Sequence, residues 1–134
     1  FSNAGQVCIS AQRVIASKEI YSDYLDALTE GVKALSTGNP MDGTVKMGPM
    51  VRAQDAVRVD QWINEAVSAG ARTVYGGGFE GAMHNPTIVA DVTPDMRISR
   101  EELFGPAVAV TPFDDIDEAI AMENQHIADQ SADS

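Results

Sequence analysis

Two periodicities alternate along this chain, and together they leave little choice of fold. Apolar residues at Tyr21, Tyr24, Leu25, Leu28, Val32 and Leu35 recur at intervals of three and four, so they share one face of a helix. Ser17 is placed to cap that helix with Glu19 in its first turn, and Gly38-Asn39-Pro40 to stop it. A second stripe, Ala56, Val59, Trp62, Ile63, Ala66 and Val67, predicts a helix over residues 51–69 with Gly70 just past its end. Short strand-like runs fall at 12–16, 73–75, 87–92 and 108–113, and a last helix at 116–123 with Asp114 or Asp115 as its cap. Strand and helix in alternation predict an α/β domain, a parallel sheet flanked by helices. Such sheets carry their functional loops at the carboxyl ends of the strands.

The connection between the first two helices holds Pro40, Gly43, Gly48 and Pro49, so it reads as a loop, with Met41, Met47 and Met50 filling gaps around it. Gly76-Gly77-Gly78 lacks the spacing of a dinucleotide-binding turn and no helix opens behind it; it reads as a flexible turn. His84 and His126 have no cysteine or carboxylate partner at metal-ligand spacing, so no metal is expected and both are read as solvated.

With 134 residues, 44% of them apolar, the chain can bury one core. Nine basic against twenty acidic residues give a net charge of -11, which repels phosphate backbones and anionic lipid. Nucleic acid and membrane partners are therefore not expected. No apolar stretch approaches the roughly 20 residues of a membrane span, and no signal peptide is visible. A single cysteine leaves no internal disulfide to form and fits a reducing compartment, so a cytoplasmic location is expected.

That cysteine, Cys8, follows Phe1-Ser2-Asn3-Ala4-Gly5-Gln6-Val7, small and amide residues instead of the large apolar neighbours of a core thiol. Taken alone it fits an inert small side chain as well as a nucleophile. A nucleophilic thiol needs backbone N–H groups or positive charge nearby to favour the thiolate, and a glycine lets backbone come that close. Downstream, Glu101-Glu102-Leu103-Phe104-Gly105-Pro106 puts two carboxylates, an aromatic ring and a Gly-Pro turn immediately before the apolar run from Ala107 to Val110.

The two segments together resemble the aldehyde dehydrogenase superfamily, which carries F-x-N-x-G-Q-x-C around its nucleophile and E-E-x-F-G-P further on. Arg13, Gly38-Asn39-Pro40, Gly48-Pro49 and Asn85-Pro86-Thr87 extend the resemblance, which runs from Phe1 to about Asn124. It implies a partial catalytic domain over residues 1–124 and a cofactor that is NAD or NADP. It also implies an aldehyde substrate, oxidised to a carboxylic acid through a thiohemiacetal and a thioester on Cys8. The backbone amide of Cys8 would help to stabilise the oxyanion. Glu102 matches the residue that accepts hydrogen bonds from the nicotinamide ribose hydroxyls, and Phe104 the ring beside the nicotinamide. Glu101 is expected to be structural and Arg13 to buttress the nucleophile loop. Neither the family's glutamate base nor its oxyanion asparagine has a match here, and Asn3 is not that asparagine.

The chain is therefore expected to be a fragment, inactive by itself, with apolar surface left uncovered and a tendency to form a homo-oligomer. Residues 125–134 depart from the family pattern and read as a polar, frayed or disordered tail, the mark of an interrupted frame or a junction. A non-catalytic remnant that only folds or associates is the competing reading, ahead of an independent redox-sensing thiol, for which no resolving cysteine exists.

Overall fold

The computed structural model describes residues 1–8 and 10–132, with the side chains of all of these but 129 and 130. After a 3-10 turn at Ser2–Gly5 come β1 (Arg13–Ser17), α1 (Tyr21–Lys33), α2 (Ala53–Ser68) and β2 (Arg72–Tyr75). They are followed by β3 (Phe79–Glu80), β4 (Met83–His84), β5 (Thr87–Ala90), α3 (Arg97–Arg100), β6 (Ala107–Phe113) and α4 (Ile116–Ala132). The main sheet runs β1-β6-β5-β2. β6 pairs in parallel with β1 (Arg13 opposite Ala109) and with β5 (Thr87 opposite Ala107), whereas β2 joins β5 antiparallel. The sheet is therefore mixed, a parallel core with one reversed edge strand, flanked by helices.

The central strands are buried from Thr87 to Ala90 and from Ala107 to Thr111, and are apolar there except at the two threonines, because both of their faces are covered. Val89, Ala107 and Ala109 pack on the α2 side with Ala56, Val59, Trp62, Ile63 and Ala66. Their neighbours Ile88, Ala90, Val108 and Val110 pack on the α1 side with Leu25 and Val32. One-residue alternation thus feeds two separate cores through one sheet.

Several local expectations change. α1 starts at Tyr21 after Ile20, and the Ser17 hydroxyl accepts the Glu19 N–H in the preceding turn instead of capping the helix. The helix ends at Lys33, short of Gly38-Asn39-Pro40, because the chain turns to pair Thr37 with Met47. Val67 lies at the outward margin of its stripe and is exposed, and Met41 is 89% exposed while Met47 and Met50 are buried. The triple glycine, all at positive φ, leads into the β3–β4 hairpin. That hairpin buries His84, which the sequence reading left in solvent: Nδ1 meets Asn85 O at 2.7 Å, Nε2 lies 3.5 Å from Asp60 Oδ1, and Phe79 stacks on the ring.

α4 is capped by Asp115, whose Oδ1 accepts the Glu118 N–H at 2.9 Å while Glu118 Oε2 accepts the Asp114 N–H at 2.7 Å. Its start is paired with the carboxyl end of β1 through Lys18 and Asp114, and its middle with the amino end of β1 through Arg13 and Glu123, both at 2.8 Å. The helix therefore runs back along β1. It continues over residues 125–132, which the sequence reading left frayed, and the Ser131 hydroxyl bonds Ile127 O one turn back. Residues 133 and 134, which that reading also included, lie outside the described residues. Ile116, Ile120 and Ile127 face outward along it.

Candidate active site

Cys8 precedes β1, and Glu102 and Phe104 precede β6. Because β1 and β6 are parallel neighbours, both motifs arrive at the amino ends of the strands, not at the carboxyl ends that the general rule for such sheets predicts. What joins them is a backbone contact. Gly5, at φ +74°, faces Gly105 so closely that a Cβ built on Gly5 would lie 1.9 Å from Gly105 O. Only glycine accepts both the conformation and the approach. On its other side Gly105 fits against Val59, whose Cγ2 would stand 2.4 Å from a Cβ there.

Two glutamines complete the junction. Gln12 Oε1 accepts the Leu103 N–H at 3.0 Å, and Gln6 Oε1 accepts the Val51 N–H at 2.9 Å, tying the thiol loop to both the Glu102 loop and the approach to α2. Asn3 and Ala4 hold positive φ of 48° and 55° ahead of Gly5, and Phe104 holds 51°. For L residues such conformations are costly and persist only where the surroundings impose them.

The result is a pocket of about 340 Å³ lined by Cys8, Ser10, Gln12, Arg13, Ile98, Glu101, Glu102, Glu123 and His126. The Cys8 thiol is exposed, as is Glu102. Phe104 is half-buried on the same loop but does not line this pocket. Glu101 is taken up by Arg97, Nε to Oε2 at 2.9 Å. Arg13, expected under the nucleophile loop, instead donates to Ser99 O at 3.0 Å and to Glu123, so it ties β1 to α3 and α4. His126 reaches the pocket from α4 with Nδ1 buried and unbonded, and Gln12 Nε2 is in the same condition. Among the described residues no three His, Cys, Asp or Glu side chains gather to hold a metal, and no helix is long and apolar enough to cross a membrane.

Sequence reasoning missed Gln12, His126 and Arg58. Gln12 is separated from its partner Leu103 by most of the chain, and His126 fell in a stretch given no structure. Arg58 left a faint signal, standing one turn before Trp62 on the same helix face. It donates to Leu103 O at 2.6 Å and lies 5.2 Å from the Trp62 ring centre.

A mixed sheet between helices, with these two loops joined at the amino ends of β1 and β6, makes the chain an α/β protein. More narrowly, it belongs to the aldehyde dehydrogenase family, whose profile matches residues 1–132. It is 47% identical over 124 residues to 3-sulfolactaldehyde dehydrogenase of Priestia aryabhattai, covering 92% of this chain and 26% of that protein. The crystal structure of lactaldehyde dehydrogenase from Escherichia coli matches with a TM-score of 0.86 at 40% identity, over 92% of this chain and 27% of that one. Mycobacterium tuberculosis aldehyde dehydrogenase complexed with NAD+ matches with 0.87 at 38% identity, over 92% and 26%. The chain thus spans about a quarter of the length of these relatives.

Proposed function

We propose that this chain is the thiol-bearing part of an NAD- or NADP-dependent aldehyde dehydrogenase, with Cys8 as nucleophile and Glu102 and Phe104 as cofactor-binding residues. The observation that carries the reading is that the exposed Cys8 thiol and the exposed Glu102 carboxylate line one pocket, held together by the Gly5–Gly105 contact. Cys8 adds as thiolate to the aldehyde carbon, giving a thiohemiacetal, and after oxidation the acyl group remains on sulfur as a thioester until water releases it. The oxygen turns negative during addition, a charge that the Cys8 backbone N–H would help to stabilise.

The donor set suits one end of a dinucleotide. Glu102 offers carboxylate oxygens to ribose hydroxyls, while Arg13, the one arginine or lysine among the described residues lining the pocket, is already taken by Ser99 and Glu123. The lining therefore fits the nicotinamide ribose and not the phosphates. When bound, the nicotinamide supplies the hydride acceptor. Phe104, on the same loop, would give it an apolar flank. The glutamate base and oxyanion asparagine that the family resemblance calls for have no match in this sequence, so the chain alone is expected not to turn over. The same reading carries a cytoplasmic location and self-association, the latter supported by the outward Ile116, Ile120 and Ile127.

The test replaces the matching quarter of Escherichia coli lactaldehyde dehydrogenase with this chain and follows cofactor reduction. Cys8→Ser should lower kcat roughly 10³-fold or more, as loss of a covalent nucleophile does. Glu102→Gln should raise KM for the dinucleotide about tenfold. A Cys8→Ser chimaera that keeps its rate sinks the proposal. A parent chimaera that folds without turnover while the host enzyme is active favours the remnant that only folds or associates.

A further inference from the structure

One guanidinium grips both carbonyls that bracket Phe104. Arg58 Nη1 donates to Leu103 O at 2.6 Å and Nη2 approaches Phe104 O at 3.5 Å. The φ angle of Phe104 is the torsion between the carbonyl carbons of Leu103 and Phe104, so a planar fork held against both oxygens restrains that one angle. The angle is +51°, in the left-handed region that a bulky L side chain avoids unless its surroundings impose it.

The fork itself is fixed in place. Arg58 lies 5.2 Å from the centre of the Trp62 ring, and Arg97 lies 4.5 Å from the same ring. Arg97 in turn holds Glu101 at 2.9 Å. The segment is thus anchored at Glu101 through one guanidinium and at Leu103 and Phe104 through another, both seated on one indole. Gln12 adds a third tether at the Leu103 N–H. Glu102, between the anchors, is exposed and lines the pocket.

From this geometry we infer that Arg58 is a positioning residue: it holds Phe104 left-handed and thereby presents Glu102 and Phe104 to the nicotinamide end of the cofactor, a role that rests on the proposed function above. It acts through the loop carbonyls, without touching the cofactor. A lysine at this position is a point donor on a flexible stem and holds one oxygen at a time.

The test uses the whole 134-residue chain, labelled for NMR. A left-handed φ gives a strong intraresidue amide-to-Hα NOE at Phe104. Arg58→Met should lose it and Arg58→Lys should weaken it, with amides of β5 and β6 unmoved. Trp62→Phe, which leaves both Arg58 nitrogens to donate to the two carbonyls, should keep it. Nicotinamide mononucleotide titrated into the same samples should shift the Glu102 and Phe104 amides, with binding roughly tenfold weaker in Arg58→Met, the factor set by one lost charge-assisted hydrogen bond. Should Arg58→Met fail to fold, the Arg58→Lys comparison decides. A Phe104 NOE unchanged in the folded Arg58 variants overturns the inference. Absence of any mononucleotide shift in the unaltered chain overturns the cofactor reading instead, and the NOE then judges the Arg58 clamp alone.

Discussion

Replacing Gly5 with alanine should separate the two motif loops. At φ +74° an alanine pays about 1–2 kcal/mol in backbone conformation alone. Its methyl would sit 1.9 Å from Gly105 O and 2.4 Å from the carbonyl carbon, both backbone atoms that cannot rotate aside. Overpacking of this kind costs about a further 1–3 kcal/mol. With a urea m-value of about 1.5 kcal/mol per molar, the two effects together lower the unfolding midpoint by roughly 1–3 M. Gly70→Ala is the control, since Gly70 has φ +115° with nothing within 4 Å of a built Cβ, and so carries the conformational part only. The Leu103 amide, bonded to Gln12, should also exchange faster in Gly5→Ala, because that hydrogen bond crosses the same junction. If Gly5→Ala falls within about 0.5 kcal/mol of Gly70→Ala, the scatter of an ordinary surface substitution, and Leu103 keeps its protection, the loops are not in contact and the site as described does not exist.

Other substitutions probe the frame around it. Gly31→Ala, in an exposed part of α1 with no atom near a built Cβ, should stabilise by roughly 0.5–1 kcal/mol in urea unfolding. Val59→Ala removes the fully buried side chain that backs Gly105 and should cost about 1.5–3 kcal/mol by the same measurement. Burial pushes the Tyr21 phenol up to about 12. The hydroxyl donates to Val110 O and accepts the Asp91 N–H. A raised pKa means that the folded state holds the proton more tightly, so this stabilisation is complete below the usual phenol value near 10 and is lost as pH rises towards 12. Urea midpoints should therefore fall across that interval, and Tyr21→Phe should remove its share of the slope.

Much of the scaffold could be read from residues. The apolar stripe from Ala56 to Ala66 and the runs in β5 and β6 are buried as their periods require, because helix and strand spacing alone decide which side chains share a face. Strand direction is not written in a period of two, so β2 was expected at residues 73–75 without its antiparallel sense, and two residues per strand are too few to announce the hairpin. His84 followed the hairpin into the interior for the same reason.

For the site, Cys8 and Glu102 were legible as chemistry, but not their place on the sheet. Both motifs precede their strands in the chain, so the order of residues already assigned them to the amino ends once β1 and β6 were parallel; a rule about carboxyl ends obscured it. Gln12 and His126 were illegible, and Arg58 nearly so, because each acts across a long separation in sequence, and only the packing of α2, β1 and α4 brings them to the loops.

The most direct measurement attaches a nitroxide spin label to Cys8, whose thiol is exposed and is the chain's only one, and records paramagnetic broadening of the backbone amides. The account predicts strong broadening at Glu101 and Glu102 and at the amino end of β6, with Ser17 and Phe113 at the far ends of their strands sharp. Broadening at Ser17 and Phe113 with sharp signals at Glu101 and Glu102 would contradict it.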